Sequence, residues 1–187
     1  MAATKTVGVL ALQGDFEAHR KALEHAGANV AEVRTAAQLN SIDGLIIPGG
    51  ESTTMLKVLE YEKMFKPLHE FGLHKPIFGT CAGAILIARS VLNPVQMSLN
   101  LMDIEVERNA YGRQLDSRIV HLPLFGVDSE AVFIRAPIIR QTGPGVKVLA
   151  TYQDEPVFAE EGRHMVATFH PELTPDSRVH RYFVEKL

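Results

Sequence analysis

Gly79-Thr80-Cys81-Ala82-Gly83 holds the only cysteine of the chain, with a glycine two residues away on either side. That is the glycine-x-nucleophile-x-glycine spacing of a nucleophile elbow, a sharp strand-to-helix turn that exposes the central side chain. The apolar run before it and the helix-forming run after it predict that setting. At the start of a helix the thiolate is favoured over the thiol, and the thiolate is the nucleophile. A lone cysteine also serves as a small buried packing residue, so the motif alone leaves both roles open.

A base and its orienting group are available in Phe169-His170-Pro171-Glu172. Read as the end of a β-run, the segment places His170 and Glu172 on one side, with Pro171 turned away and holding His170 extended. An imidazole beside a carboxylate that can stabilise the imidazolium completes a cysteine–histidine–glutamate set. A surface histidine in a strand-ending turn is the plainer alternative. Pro48-Gly49-Gly50-Glu51-Ser52 supplies a third loop, and the backbone N–H groups of Gly50 and Ala82 suit an oxyanion hole. Glu51 either meets a cationic ligand group or caps the helix that begins at Ser52. The stretch Arg108-Asn109-Ala110-Tyr111-Gly112-Arg113-Gln114 groups arginines, an amide and a tyrosine around a turn suited to a carboxylate. No spacing typical of zinc or calcium ligands, no dinucleotide fingerprint and no Walker lysine occurs, so neither a metal nor another cofactor is expected.

These loops need a scaffold that brings them together. Strands are predicted at Thr6 to Gln13, at Asn-Val-Ala-Glu-Val-Arg (29–34), at Gly44 to Gly50 and at Lys75 to Cys81. Helices are predicted after Asp15 up to Gly27, over Ser52 to Tyr61, around Pro67 to Phe71 and over Ala82 to Ser90. Alternating strands and helices imply βαβ units and a parallel sheet covered on both faces. Ligands bind such sheets at the carboxyl ends of the strands, where Gln13-Gly14-Asp15, the 48–52 loop and the cysteine loop all fall. The second half reads as short β-runs separated by turn residues, predicting antiparallel strands added to the sheet. A last helix is predicted from about Thr174 to Leu187. No linker or repeat interrupts the chain, so residues 1–187 are read as a single α/β domain.

The totals agree with this reading. The chain has 187 residues, is 46% hydrophobic and carries a net charge of −3, enough to bury a core and without a basic footprint for nucleic acid. His19-Arg20-Lys21 reads as a solvated helix face. One cysteine excludes an internal disulfide and suits a reducing, cytoplasmic setting. No segment approaches the roughly 20 apolar residues of a membrane span, so no membrane partner is expected.

The five motifs VGVLALQGD, PGGESTTM, VERNAYGRQ, VFIRAP and TFHPELT, with GTCAG, run in order through the chain. Together they resemble the triad-type (class I) glutamine amidotransferases, and among them the glutaminase subunits of pyridoxal 5′-phosphate synthase. The resemblance implies a flavodoxin-like three-layer sandwich. It implies Cys81 as nucleophile, His170 as general base and acid, and Glu172 as its orienting residue. It implies glutamine binding by Gly49, Gly50 and Glu51, with further contacts from Arg108, Ile134 and Arg135. It also implies a partner, a (β/α)8-barrel synthase that uses the ammonia with ribose 5-phosphate and glyceraldehyde 3-phosphate to make pyridoxal phosphate. Docking onto that partner would complete the oxyanion hole of an otherwise nearly idle glutaminase. Ala84 departs from the Leu or Met of the pattern, and Ser90 to Leu99 carries no motif. Two rivals keep the elbow but change the role: a cysteine hydrolase of the DJ-1/PfpI type, or a catalytically inert interaction subunit. The C-terminal His-x-Glu pair and the intact cysteine–histidine–glutamate set favour the amidotransferase over both.

Overall fold

A computed structural model describes residues 4–110 and 117–187. The centre is a seven-stranded sheet in the order β10-β11-β12-β4-β3-β1-β2. Strands β1 (Thr6–Leu10), β2 (Asn29–Val33), β3 (Gly44–Ile47), β4 (Ile77–Thr80) and β12 (His164–Ala167) run parallel. At one edge β11 (Glu155–Glu161) and β10 (Lys147–Tyr152) continue the sheet antiparallel. The parallel connections are made by α1 (Phe16–His25) and by α2 (Ser52–Tyr61) with α3 (Phe65–His74).

Side chains alternate across the sheet with a period of two, as pleating demands. Leu45, Ile47 and Ile77 face a core shared with α2, α3 and α4 (Ala82–Ile87), whereas Ile46 and Phe78 face a second core. That second core takes Leu23 from α1 and Val179 and Phe183 from α5 (Arg178–Glu185). The three-layer α/β arrangement expected from the sequence is therefore present.

From Ala82 onward the chain departs from expectation. Only β10 and β11 extend the sheet antiparallel. Strands β5 (Ala88–Leu92), β6 (Met102–Glu107) and β9 (Ile138–Thr142) form a separate three-stranded sheet. Strands β7 (Ser117–Leu124) and β8 (Val127–Ile134) form a separate hairpin. The helix expected over Ala82 to Ser90 stops at Ile87, because returning chain takes its last carbonyls. Leu99 N donates to Leu86 O (2.6 Å), Leu101 N to Ile87 O (3.0 Å) and Ser98 Oγ to Ala88 O (2.6 Å). The final helix begins at Arg178 rather than Thr174, with Asp176 accepting from the Arg178 backbone N–H and guanidinium.

His164 illustrates how the core constrains protonation. Its Nδ1 accepts from Ile77 N at 3.1 Å, which only an unprotonated nitrogen can do. Burial, with Arg163 nearby, lowers its pKa to about 4. A histidine depressed in the folded state contributes stability that is present above the unfolded value near 6.5 and is lost as pH falls toward 4. Acidification through that window is expected to cost roughly 3 kcal/mol from this group. The urea midpoint at pH 7 and at pH 4 measures it. The loss should shrink in His164→Asn, whose amide oxygen accepts without titrating.

Candidate active site

Cys81 leaves β4 at the middle of the sheet and enters α4 with φ +49° and ψ −104°. A positive φ is rare for a residue with a side chain and marks stored strain at a site held by its surroundings. Its N–H is fixed by Ala167 O of β12 (2.9 Å), and its carbonyl accepts from Ile85 N (3.3 Å). The flanking glycines are required by space. A Cβ on Gly79 would stand 2.5 Å from the Gly83 carbonyl, and one on Gly83 would stand 2.0 Å from Ile47 O. The elbow is therefore packed so tightly that the cysteine is pushed up into the cleft at the sheet's carboxyl edge. Its helix spans only six residues, so the dipole is a weaker lever on the thiol than a longer helix would provide.

His170 and Glu172 are not on a strand, contrary to expectation. Strand β12 ends at Ala167, and His170 precedes a 3-10 turn over Pro171–Leu173 that carries Glu172. Proline at the first position of that turn suits its fixed φ and missing donor. The two side chains still meet, with His170 Nδ1 and Glu172 Oε1 at 2.7 Å. The backbone is anchored by His170 N donating to Val132 O of β8 (2.8 Å). The same strand brings Ile134 O to 4.0 Å from Cys81 Sγ. The β7–β8 hairpin thus buttresses both Cys81 and His170, a role its sequence does not announce.

Burial opposes charge on His170, but its interactions with Cys81 and Glu172 outweigh that and push its pKa up to about 10. Its Nε2 meets no partner with hydrogen-bond geometry, so the thiol stands beside the ring without a formed hydrogen bond. Burial likewise opposes the Glu172 carboxylate, but His19 and His170 more than compensate and lower its pKa. The set therefore favours an imidazolium on His170 backed by the Glu172 carboxylate.

The cleft in front of Cys81 has a volume of about 460 Å³. Gly49, Gly50, Glu51, Ala82, Arg108, Ile134 and Arg135 all line it, as does Gln13 from the end of β1. Cys81 and His170 line it with them, and Glu172 lies behind His170. Gly49 lies against the reactive pair, since a Cβ there would stand 2.5 Å from His170 Cε1 and 3.3 Å from Cys81 Cβ. Gly49→Ala is expected to push the imidazole off line and lower turnover about 10²-fold, with little change in melting temperature; steady-state kinetics beside a thermal melt check it.

Glu51 acts as the cap of α2. Its carboxylate accepts from Thr53 N (3.0 Å), Thr54 N (2.7 Å) and Thr54 Oγ1 (2.6 Å). The hydrogen bond from the Thr54 side chain is the main cause that lowers its pKa to about 2. Arg108 donates to Thr53 Oγ1 (2.8 Å) and lies 3.5 Å from Glu51 Oε1. Capping and lining the cleft are thus combined in one residue. Tyr111, Gly112, Arg113 and Gln114 of the expected carboxylate-recognition turn lie outside the described residues.

A further expectation fails on α1. His19, expected on a solvated face, is fully buried, while Arg20 beside it is partly exposed and pairs with Glu24 (2.6 Å). The spacing Phe16, His19, Leu23, Ala26 puts His19 on the apolar stripe of α1, a signal present in the sequence. His180 on α5 is equally buried. Among the described residues no group of three or more His, Cys, Asp or Glu side chains is arranged to hold a metal ion, and no helix is long and apolar enough to cross a membrane.

Comparison with known proteins adds a second line of observation. The family described as SNO glutamine amidotransferase matches residues 9–187. A protein of Solibacter usitatus (strain Ellin6076), described as pyridoxal 5′-phosphate synthase subunit PdxT, is 61% identical over 98% of this chain and all of its own length. The protein of that description from Deinococcus radiodurans is 49% identical over 96% of this chain and 95% of its own. A crystal structure described as a glutamine amidotransferase superposes with a TM-score of 0.90 at 44% identity, covering 96% of this chain and 97% of that one. A chain of the PurLQS structure from Thermotoga maritima shares the fold, with a TM-score of 0.65 at 18% identity over 98% of this chain and 94% of that one.

Proposed function

The chain belongs to the SNO glutamine amidotransferase family, and from that premise we propose that it is the glutaminase subunit of a pyridoxal 5′-phosphate synthase, with Cys81, His170 and Glu172 as its catalytic triad. The observation that carries the residue assignment is the strained cysteine elbow facing the His170–Glu172 pair, joined at 2.7 Å. Glutamine enters the cleft lined by Gly49, Gly50, Glu51, Arg108, Ile134 and Arg135.

The Cys81 thiolate attacks the side-chain carboxamide carbon, and the developing oxyanion is received by the N–H groups of Gly50 and Ala82. Losing one such donor costs about 10²–10³ in rate. The His170 imidazolium gives its proton to the leaving nitrogen, the C–N bond breaks and ammonia departs, leaving a glutamyl thioester on Cys81. Neutral His170 then takes a proton from water, which attacks the thioester carbonyl. Thiolate leaves, and glutamate is released with the imidazolium restored. Glu172 holds the ring in the tautomer that presents Nε2 to the thiol and stabilises its charge.

Ammonia released into bulk water is protonated and no longer nucleophilic. A route into a synthase subunit follows from that chemistry, and the partner is a (β/α)8-barrel enzyme that condenses the ammonia with ribose 5-phosphate and glyceraldehyde 3-phosphate. The test is hydrolysis of glutamine labelled at the amide nitrogen, with and without the synthase. Glutamate is expected slowly alone and faster on mixing, matched alone by labelled ammonia and in the complex by the sum of labelled ammonia and label in the pyridoxal phosphate ring. Turnover of peptides or aldehydes in place of glutamine would overturn the reading.

A further inference from the structure

Behind the triad lies a group that the glutaminase reaction does not use. His19 is fully buried on α1. Its Nε2 stands 3.3 Å from Glu172 Oε2 and 3.0 Å from Thr80 Oγ1, and its Nδ1 stands 2.9 Å from His180 Nε2. Glu172 Oε2, the oxygen turned away from His170, has no hydrogen-bond partner of its own. The titratable and charged groups facing His19 come from several elements: Asp15 at the start of α1, His170 and Glu172 from the 3-10 turn, and His180 from α5. His180 in turn feels Asp176, which precedes α5.

Burial lowers the pKa of both histidines, that of His180 to about 3, so each carries one ring proton. Two arrangements then compete. If His180 donates from Nε2 to His19 Nδ1, the His19 proton lies on Nε2, toward Thr80 Oγ1 and the carboxylate oxygen. The atom left without a partner is then a lone pair on His180 Nδ1, which the structure indeed leaves unpartnered. The reverse arrangement aims a His19 lone pair at a carboxylate oxygen 3.3 Å away and strands a buried N–H on His180. Repulsion and an orphaned donor both disfavour it.

We propose that His19 is a positioning residue of the triad: its Nε2–H, oriented by His180 and bonded to Thr80 Oγ1, turns its positive edge to Glu172 Oε2 at 3.3 Å and steadies that oxygen electrostatically so that Oε1 remains on His170. The inference rests on the triad assignment. Its physical content is that a neutral donor steadies the carboxylate without competing for its charge, whereas a protonated His19 would draw that charge away from His170.

The test compares His19→Gln with His19→Asn. The amide nitrogen of glutamine reaches where Nε2 lies, and that of asparagine only where Nδ1 lies. Cys81 is the sole cysteine, so the pH dependence of iodoacetamide alkylation of the full chain reads the thiolate directly. In His19→Asn the acid limb of that profile is expected to move up by about one pH unit, because a loosened Glu172 supports the imidazolium less. With the synthase present, kcat for glutamine should fall about tenfold at unchanged KM. His19→Gln should restore both. A folded His19→Leu chain gives the same reading as Asn where Asn destabilises. Identical limbs in all folded variants, or equal shifts in Gln and Asn, overturn the inference. Absence of glutamine turnover in the unaltered complex would instead strike the proposed function, leaving the alkylation comparison to judge His19 separately.

Discussion

Cys81→Ala is expected to abolish glutamine hydrolysis, by at least about 10⁴-fold in kcat, while leaving the fold intact. Among the described residues the neighbouring hydroxyls are already engaged: Thr80 is fully buried against His19, and Ser52 is buried and bonded to Gln96. Alanine fits the elbow sterically, and relief of a polar side chain at φ +49° costs the fold little. The variant should also change its neighbour. Interaction with Cys81 helps to raise the His170 pKa to about 10, so removing the thiol should bring the imidazole's titration down. NMR of the His170 ring in both chains checks the direction. Retained glutaminase activity would remove Cys81 from the mechanism.

The second large effect belongs to His170→Ala. Under the proposed mechanism it deletes the proton donor for the leaving nitrogen and the base for water, each worth about 10²–10⁴ in rate. It also deletes the cation that favours the thiolate, so the acid limb of Cys81 alkylation should rise toward the free-thiol value near 8.5. Turnover should fall about 10³-fold or more, with a rate that now climbs with pH across that region. A stopped-flow alkylation profile beside steady-state kinetics separates the two losses. Unchanged alkylation at pH 6 would mean that the thiolate is stabilised by something other than His170.

Glu172 is legible in the sequence as the partner of His170, but for a reason the structure replaces. Its two-residue spacing suits one face of a strand, whereas the pair is made on a 3-10 turn started by Pro171. The pairing survives because His170 precedes the turn with a non-helical backbone, at φ −108° and ψ 86°, from which its ring meets Glu172 at 2.7 Å. His19 runs the other way. Its charged neighbours Arg20 and Lys21 suggest solvent, whereas helical periodicity puts it beside Leu23 on the buried stripe.

Local sequence determined the parallel βαβ half, the three glycine-rich loops at its carboxyl edge and the candidate side chains that those loops present. Each follows from period, turn chemistry or side-chain type within a few residues, such as the clash that forbids a Cβ at Gly79. Tertiary structure alone decided where the second half would go. The arrest of α4 at Ile87 depends on carbonyls captured by Leu99 and Leu101, a contact that helix propensity does not contain. So does the line from Cys81 through His170, Glu172 and His19 to His180, in which the last two approach at 2.9 Å across 161 residues of chain. Hydrogen bonds of that reach depend on distance in space, and the sequence around each histidine carries no record of the other.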